Sequence, residues 1–234
     1  MGGSSVVIEH HLIVTHEVTN EGTDRSQLAA MSKKTKVALK TETLDVIAGR
    51  GTFSSEQILQ CDKADITVTL PKPLTSGIKA KGRYGKQDFR YVEADDVYIC
   101  PAGERLAYRF TNEEKGLVLR RYWSTACQAC AIRDKCTTGK ERRITRWQHE
   151  HLLEDIQARL DAHPEKMRER RQTVEHPFGT IKSWMGATHF LMKRLKNVRT
   201  EMALHVLAYN LKRVMSILGV GPLMEAIRAQ AMPA

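Results

Sequence analysis

The chain has 234 residues, of which 41% are hydrophobic, and a formal net charge of +10 at pH 7. This length is sufficient for one large domain or two small ones with a sizeable core. No apolar run reaches the length of a membrane span, and the first residues lack the basic flank and apolar core of a secretory signal. We therefore expect a cytoplasmic protein without a membrane partner. The basic excess favours a polyanion such as nucleic acid, although a merely soluble basic protein is the alternative.

The first seventy residues alternate between strand-like and helix-like patterns. Strands are predicted over His10–Val18, Leu44–Ala48 and Ile66–Leu70, because these runs are rich in β-branched and apolar residues. Helices are predicted from about Gln27 to Leu39 and from Ser54 or Ser55 to about Asp62, with serine or aspartate caps. This alternation predicts an α/β domain with a parallel sheet.

The middle of the chain changes character after Pro71. Residues 71–90 form a predicted basic loop in which Lys81 and Arg83 are spaced by glycines. Such a loop could lie along a DNA backbone or could be a solvated connector. Residues 96–123 predict short strands in hairpins, with turns at Gly103 and Gly116.

Four cysteines follow the spacing of a metal site. Cys100 precedes Cys127 and Cys130, which are separated by two residues, and Cys136 comes soon after. Disulfides are disfavoured in a reducing cytosol, so structural zinc held by four thiolates is one use of this spacing. An iron–sulfur cluster or free buried thiols are the alternatives.

Helical patterns fill the rest of the chain. A helix is predicted from about Thr145 to Leu160, and the next one contains Arg168 and Arg170 and must kink or restart at Pro177. Trp184 is expected to face inward. The last helix is predicted from about Asn197 to Leu218, and its apolar residues are expected to be largely buried: Met202, Val206, Tyr209, Leu211, Met215 and Leu218.

One acid stands among bases in this C-terminal part. Arg171 lies four positions before Glu175, and Lys182 lies seven after it, so on one helix the three side chains share roughly one face. A carboxylate surrounded by cations stays ionised and suits a divalent metal held beside a phosphate group. The charge pattern alone favours the alternative interpretation, a solvated helix face with ordinary ion pairs.

The residue sequence of this stretch is more specific than its charge pattern. The sequence from Arg171 to Lys182 resembles the last acidic motif of bacterial insertion-sequence transposases of the DDE class, in the branch that carries a cysteine cluster upstream. The motif usually begins with Tyr, and Arg168 stands at that position. The similarity extends from about Glu9 to Val220. It implies that Glu175 binds Mg²⁺ and that Arg171 and Lys182 contact phosphate.

The resemblance also implies that two catalytic acids are lost. The family's second Asp begins an Asp-Arg-Gly-Tyr sequence after the central strand, and the matching sequence here begins with Gly49 and ends with Thr52. The first Asp is expected just before Glu9, where Val7 stands. Two-metal phosphoryl transfer needs several carboxylates, so Glu175 alone is insufficient.

The family fold is ribonuclease-H-like, a mixed sheet with flanking helices. The resemblance predicts that the first strand is missing and that a Cys-rich β-hairpin subdomain is inserted. The expected divisions are 1–70 for the first part of the catalytic domain, 71–144 for the basic, Cys-rich insert, 145–220 for the helices that carry the Glu motif, and 221–234 for the tail.

The predicted function is that of a truncated and inactive transposase copy. Its partners would be DNA and a second copy of the chain, in the bacterial nucleoid. The candidate DNA-binding residues are Arg168, Arg170, Lys193, Arg194, Lys81 and Arg83. Two alternatives remain: a non-catalytic DNA-binding remnant that modulates an intact transposase, and a pseudogene product without function.

Overall fold

The computed structural model describes residues 2–73 and 77–231, which form a mixed α/β fold with six α-helices. Residues 74–76 of the predicted basic loop and the last three residues of the predicted tail lie outside this description. The chain divides into two compact units. The first unit comprises Met1–Lys72 and Asp155–Ala234, and the second unit comprises Pro73–Glu154.

The first unit begins with two small sheets. Strands β1 (Gly2–Val6) and β2 (Ile13–Val18) form an antiparallel pair, whereas β3 (Leu44–Ile47) and β4 (Ile66–Thr69) form a parallel pair. Helix α1 (Leu28–Leu39) follows β2. Helix α2 (Ser55–Asp62) connects β3 to β4 and is capped by Ser54, whose side chain accepts a hydrogen bond from the amide of Gln57.

The predicted single parallel sheet is therefore wrong in part. The parallel pair exists, but among the described residues β2 pairs with β1 and not with β3. Strand β1 was not predicted, because its sequence Gly-Gly-Ser-Ser-Val has little intrinsic strand preference. Its extended conformation depends on pairing with β2, a tertiary effect that a single-sequence pattern does not contain.

Four helices complete the chain: α3 (Glu150–Ala162), α4 (Lys166–Gly179), α5 (Leu195–Leu218) and α6 (Val220–Ala231). Helix α4 continues through Pro177 and then widens into a π-helical turn over Thr180–Trp184. The predicted break at Pro177 is thus replaced by a change of helix type just after it. Such wider turns commonly accommodate irregularities in a helix.

The core of the first unit includes a cluster that joins β2 to the C-terminal helices. Ile13, Ile181, Val206 and Tyr209 are all buried there. The side-chain amide of Asn210 makes two hydrogen bonds to the backbone of Ile13. Its Oδ1 accepts from the Ile13 amide at 3.0 Å, and its Nδ2 donates to the Ile13 carbonyl at 2.8 Å. These contacts fix α5 along β2.

Burial in α5 is only partly as predicted. Val206 and Tyr209 are buried, but Leu211, Met215 and Leu218 are 48%, 38% and 53% exposed. The prediction that Trp184 faces inward is also wrong, because its side chain is 82% exposed. Apolar periodicity identifies a face that favours burial, but it does not supply the element that would cover that face.

The second unit contains one antiparallel sheet in the order β5-β6-β7-β8-β9. The strands are β5 (Arg90–Val92), β6 (Val97–Ile99), β7 (Arg105–Glu114), β8 (Leu117–Trp123) and β9 (Ile144–Trp147). The helix predicted from Thr145 is wrong at its start, because these residues form β9 and the helix begins at Glu150. In the described part of the chain, no helix has the length and apolar character needed to cross a membrane.

Candidate functional site

The acidic motif lies on α4 and on the turn that follows it. Arg171 and Glu175 are exposed on the helix, and Lys182 is exposed within the π-helical turn. Within the described ranges, none of the three forms an ion pair with another. The wider turn also changes the direction in which Lys182 leaves the helix relative to an unbroken α-helix. The motif therefore presents one carboxylate and two cations to solvent.

Gly49 lies two residues after β3, at the carboxyl end of the parallel pair. Its backbone carbonyl accepts a hydrogen bond from the Thr52 hydroxyl at 2.9 Å. A Cβ atom placed on Gly49 would lie 2.9 Å from Nη2 of Arg170 and 3.1 Å from its Cζ. The guanidinium group of Arg170, on α4, therefore occupies the space that an aspartate side chain at position 49 would enter.

Val7 lies in the turn between β1 and β2. Its amide donates to the carbonyl of Leu12 at 2.9 Å, and its own carbonyl accepts from the amide of His11 at 2.8 Å. The side chain has no donor atom for a metal. Gly49 and Val7, the two positions that the resemblance assigns to catalytic aspartates, therefore contribute no carboxylate to the first unit.

Next to Glu175 in sequence, His176 belongs to a small polar cluster. Its Nδ1 lies 3.0 Å from the hydroxyl of Tyr209, and that hydroxyl donates to the carbonyl of His11 at 2.7 Å. The ring of His11 is 4.7 Å from that of His176. Burial, followed by the positive potential of His176 and Arg213, lowers the pKa of His11 below its ordinary value. This cluster anchors α4 and α5 to the hairpin of β1 and β2.

Lys193 and Arg194 lie in an exposed segment before α5. Glu201 makes hydrogen bonds to the backbone of this segment. The buried carboxylate of Glu201 accepts from the amides of Leu191 and Met192 at 2.8 and 2.9 Å. These two hydrogen bonds hold the pKa of Glu201 below its ordinary value. Sequence reasoning missed this residue, although an acid within a run of bases was an available signal.

In the second unit, the four cysteines surround one small cavity. Cys100, Cys127, Cys130 and Cys136 all line a cavity of about 20 Å³, together with Arg142. Burial raises the pKa of the Cys136 thiol, Arg142 opposes that shift, and the other three cysteines add to it. The tertiary structure therefore brings together thiols that are 36 residues apart at most in the sequence.

The two basic loop residues also belong to the second unit. Lys81 is exposed, and Arg83 is half-buried. The loop is tied to the cysteine segment, because the amide of Tyr84 donates to the carbonyl of Lys135 at 2.8 Å. These contacts restrict at least the end of the predicted connector.

No preformed metal site is found in the described part of the chain. Across residues 2–73 and 77–231, no three His, Cys, Asp or Glu side chains are grouped closely enough to hold an ion. The zinc expectation is accordingly not supported by this geometry, although the four thiols line a common cavity. A two-metal catalytic centre likewise does not fit the residues at Glu175, Gly49 and Val7.

Comparison with known proteins identifies the family. A family model described as a transposase DDE domain matches residues 99–215, which is half of the chain. A search of curated proteins found no match, and a search of solved structures found none either. The matched range includes the four cysteines, Glu175 and the basic residues around it. The chain belongs to the transposase DDE domain family.

Proposed function

We propose that this chain binds DNA as a transposase-derived protein and does not cut it. The observation that carries the proposal is the contact between Gly49 and Arg170, because a guanidinium group occupies the place of the carboxylate that the family resemblance predicts. Members of the family bind DNA and use Mg²⁺. A binding role retains DNA binding and does not require Mg²⁺.

We expect no strand cleavage, because the chain has too few carboxylates at the expected catalytic positions. Strand cleavage by a two-metal mechanism needs acids that hold two ions on either side of the scissile phosphate. Glu175 offers one exposed carboxylate, and a single carboxylate holds Mg²⁺ weakly because the ion retains most of its waters. We therefore assign no catalytic step to the residues of this chain.

The DNA contacts would come from cations that are free to meet phosphate. Arg168, Arg171, Lys182, Lys193 and Arg194 are exposed, and Arg170 is half-buried beside Gly49. In the second unit, Lys81 and Arg83 are the corresponding candidates. Contacts of this type give sequence-independent affinity that falls steeply with salt.

Fluorescence anisotropy with a duplex of arbitrary sequence tests this proposal. Neutralising Arg168, Arg171 and Lys182 to Gln should lower the salt slope by about 0.9 for each lost phosphate contact. The matched control neutralises three exposed cations elsewhere, Arg25, Lys33 and Lys40, with the same change in net charge. Equal effects of the two triple variants would contradict the proposed interface, because net charge alone would then explain the change in DNA affinity.

A cleavage assay tests the second half of the proposal. Supercoiled plasmid incubated with the chain and Mg²⁺ or Mn²⁺ should remain intact, and the variant Glu175→Gln should behave identically. Metal-dependent nicking that Glu175→Gln abolishes would overturn the proposal. Asp24 and Asp45 would then be the acids to examine, since both line the same groove as Gly49.

We also propose structural zinc at Cys100, Cys127, Cys130 and Cys136. The shared cavity supports it, because all four thiols line the same small space and four thiolates are a common ligand set for structural zinc. Freshly purified protein should contain about one zinc per chain, and the double variant Cys127→Ser, Cys130→Ser should lose it. Stoichiometric iron, or fresh protein free of metal, would favour an iron–sulfur cluster or free thiols instead.

We also propose that the chain belongs to the cysteine-bearing branch of insertion-sequence transposases and is located in the bacterial nucleoid. Its fold would lack the first strand of the family and would divide at residues 70, 144 and 220.

We further propose a homodimer. The exposed apolar side chains of α5 support it, among them Leu204, Leu207 and Leu211. Modulation of an intact transposase would use either the DNA or this surface. A protein that neither binds DNA nor dimerises would be a product without function.

A further inference from the structure

A long stretch without acids follows the acidic motif. Between Glu175 and Glu201 the sequence contains no aspartate or glutamate, although it contains five lysine and arginine residues: Lys182, Lys193, Arg194, Lys196 and Arg199. Residues 182–194 run from the π-helical turn to the start of α5, and cations stand at both ends of this range. We call residues 182–194 the basic–aromatic segment. Its single sign of charge favours a polyanion as partner.

The basic–aromatic segment also exposes large apolar side chains. Trp184 and Leu191 are 82% and 81% exposed, and Phe190 is 47% exposed. Among the described residues, no large apolar side chain is more exposed than that of Trp184. A tryptophan ring that stays in water contributes little to folding, so its exposure beside cations favours a contact with a partner.

The backbone on both sides of these exposed rings is fixed to the core of the first unit. Ile181 is buried before Trp184, and Met185 packs against the same buried cluster directly after it. At the other end of the segment, the Glu201 carboxylate accepts hydrogen bonds from two backbone amides. Trp184 is therefore presented by an anchored turn, which lowers the entropy lost when a partner orders it.

Cations interleaved with exposed rings match nucleic acid whose bases are unpaired. Lysine and arginine attract the phosphates of single and double strands alike. An aromatic ring can stack only on an open base face, and in a duplex the neighbouring base pairs cover those faces. Stacking of this kind supports single-strand binding without sequence preference. An apolar protein surface would cover Phe190 and Leu191, but it would offer no opposite charge to the cations.

We propose that the basic–aromatic segment binds unpaired DNA bases. Trp184 stacks on one base, and Lys182, Lys193 and Arg194 contact the phosphates around it. Phe190 supplies a second ring for a neighbouring base. The inference rests on the proposed DNA binding and adds a substrate class to it, namely single strands and duplexes with frayed ends or flipped bases.

Fluorescence anisotropy on the full chain tests the inference with two labelled probes. One probe is a thymidine oligonucleotide of about twelve residues, and the other is a GC-rich blunt duplex of the same length. Trp184→Ala should weaken binding of the single strand at least about fivefold, because stacking contributes on the order of 1–3 kcal/mol per base. Affinity for the duplex and its salt slope should remain unchanged.

Further variants separate stacking from apolar contact. Trp184→Phe should retain most of the single-strand affinity, whereas Trp184→Leu should lose about as much as Trp184→Ala, because only an aromatic face stacks on a base. The matched control is Leu207→Ala, at an α5 side chain that is 63% exposed and lies outside the segment. It should leave binding of both probes unchanged. The exposure of Trp184 means that none of its variants removes a core contact.

The outcomes distinguish this inference from the DNA-binding proposal. Unchanged single-strand affinity in Trp184→Ala, or full affinity in Trp184→Leu, would overturn base stacking while duplex binding stays intact. Absence of binding to both probes would overturn the DNA-binding proposal itself. Acrylamide quenching without DNA checks for a protein partner, with Trp184→Phe identifying the Trp184 signal. Shielding of Trp184 that increases with protein concentration would assign the ring to a dimer surface and overturn the inference.

Discussion

The two units of this protein differ in how completely their sheets are paired. In the second unit, β6, β7 and β8 each have a neighbour on both sides over part of their length, so all five strands form one continuous sheet. In the first unit, each of the four strands has a single neighbour among the described residues. The two units therefore differ in whether their described strands form one sheet or two separate pairs.

The second unit also contains a polar network whose members are paired with one another. Asp96 accepts hydrogen bonds from Tyr91 and Tyr122, each at 2.7 Å, and forms an ion pair with Arg120. The Arg146 side chain is buried, with 9% of its surface exposed, and its guanidinium carbon lies 3.7 Å from the ring centre of Tyr91. Buried networks with all members paired specify a single packing arrangement. Arg170 in the first unit, without a comparable partner, shows the contrast.

The largest expected effect comes from removing the charge at the centre of the second unit's network. Asp96→Asn keeps a residue that tolerates the positive φ of 50° but weakens the hydrogen bonds and deletes the ion pair. Unfolding free energy should fall by about 2 kcal/mol, as for other hydrogen bonds to charged groups. Urea unfolding followed by the fluorescence of Trp123 and Trp147 measures it, because Trp184 is exposed.

The matched control for this variant is Asp95→Asn. Asp95 is the exposed neighbour, and its only ion pair in the described chain is with the exposed Arg105. Removing such a pair should cost well under about 1 kcal/mol. Equal losses for the two variants would show that the network does not stabilise the second unit.

A smaller effect is expected where Glu201 orders the segment before α5. Its pKa is lowered in the folded protein, so its contribution to stability is present above its unfolded pKa and is lost as pH falls through the folded value. Exchange protection of the Leu191 and Met192 amides should therefore disappear at acid pH. Glu201→Gln should weaken this protection at neutral pH and remove its pH dependence. Protection that persists unchanged in Glu201→Gln would exclude the carboxylate as the cause.

The pH dependence of His11 provides a more modest test of the first unit. Its folded pKa is lowered, so the unfolded chain binds a proton first as pH falls below the ordinary value of 6.5. Stability should decrease from about pH 6.5 down to the folded pKa and then level off. His11→Gln should flatten this part of the curve, whereas His10→Gln, at an exposed neighbour, should not. An unchanged curve in His11→Gln would exclude His11 as the cause.

The smallest expected effect concerns Gly49. An aspartate there would meet the mobile end of Arg170 and form a half-exposed ion pair, which should change stability by less than about 1 kcal/mol. Thermal unfolding measures this change, and Gly51→Asp is the control because a side chain there meets open space. The variant Gly49→Asp should remain unable to nick DNA, since Val7 still supplies no carboxylate. A loss of several kcal/mol would mean that Arg170 cannot move from Gly49.

Local signals allowed several elements to be predicted from the sequence. The cap at Ser54 gave the start of α2, and the β-branched runs gave β3 and β4. Strand β1 could not be predicted, because its Gly and Ser residues become extended only through β2. The strand at Ile144–Trp147 was missed because the leucine stripe that follows it suggested an earlier helix start.

The candidate site shows the same limit. The sequence indicated Gly49 and the motif around Glu175, but it did not show that Arg170 packs on Gly49. That contact joins the loop after β3 to α4, so it depends on how these elements pack. The exposure of Leu211 and Trp184 was missed for a related reason, since apolar character does not reveal whether a covering element is present.

The central claim is that the first unit has an interrupted sheet, whereas the second unit has a complete one. Hydrogen exchange of the full chain at neutral pH, resolved by peptide mass, tests it most directly. Amides of Gly2–Val6 and Leu44–Ile47 should exchange much faster than those of residues 97–99 and 119–122, which are paired on both sides, because an open edge leaves amides accessible to water. Equal, strong protection of all four strands in the chain alone would contradict the account.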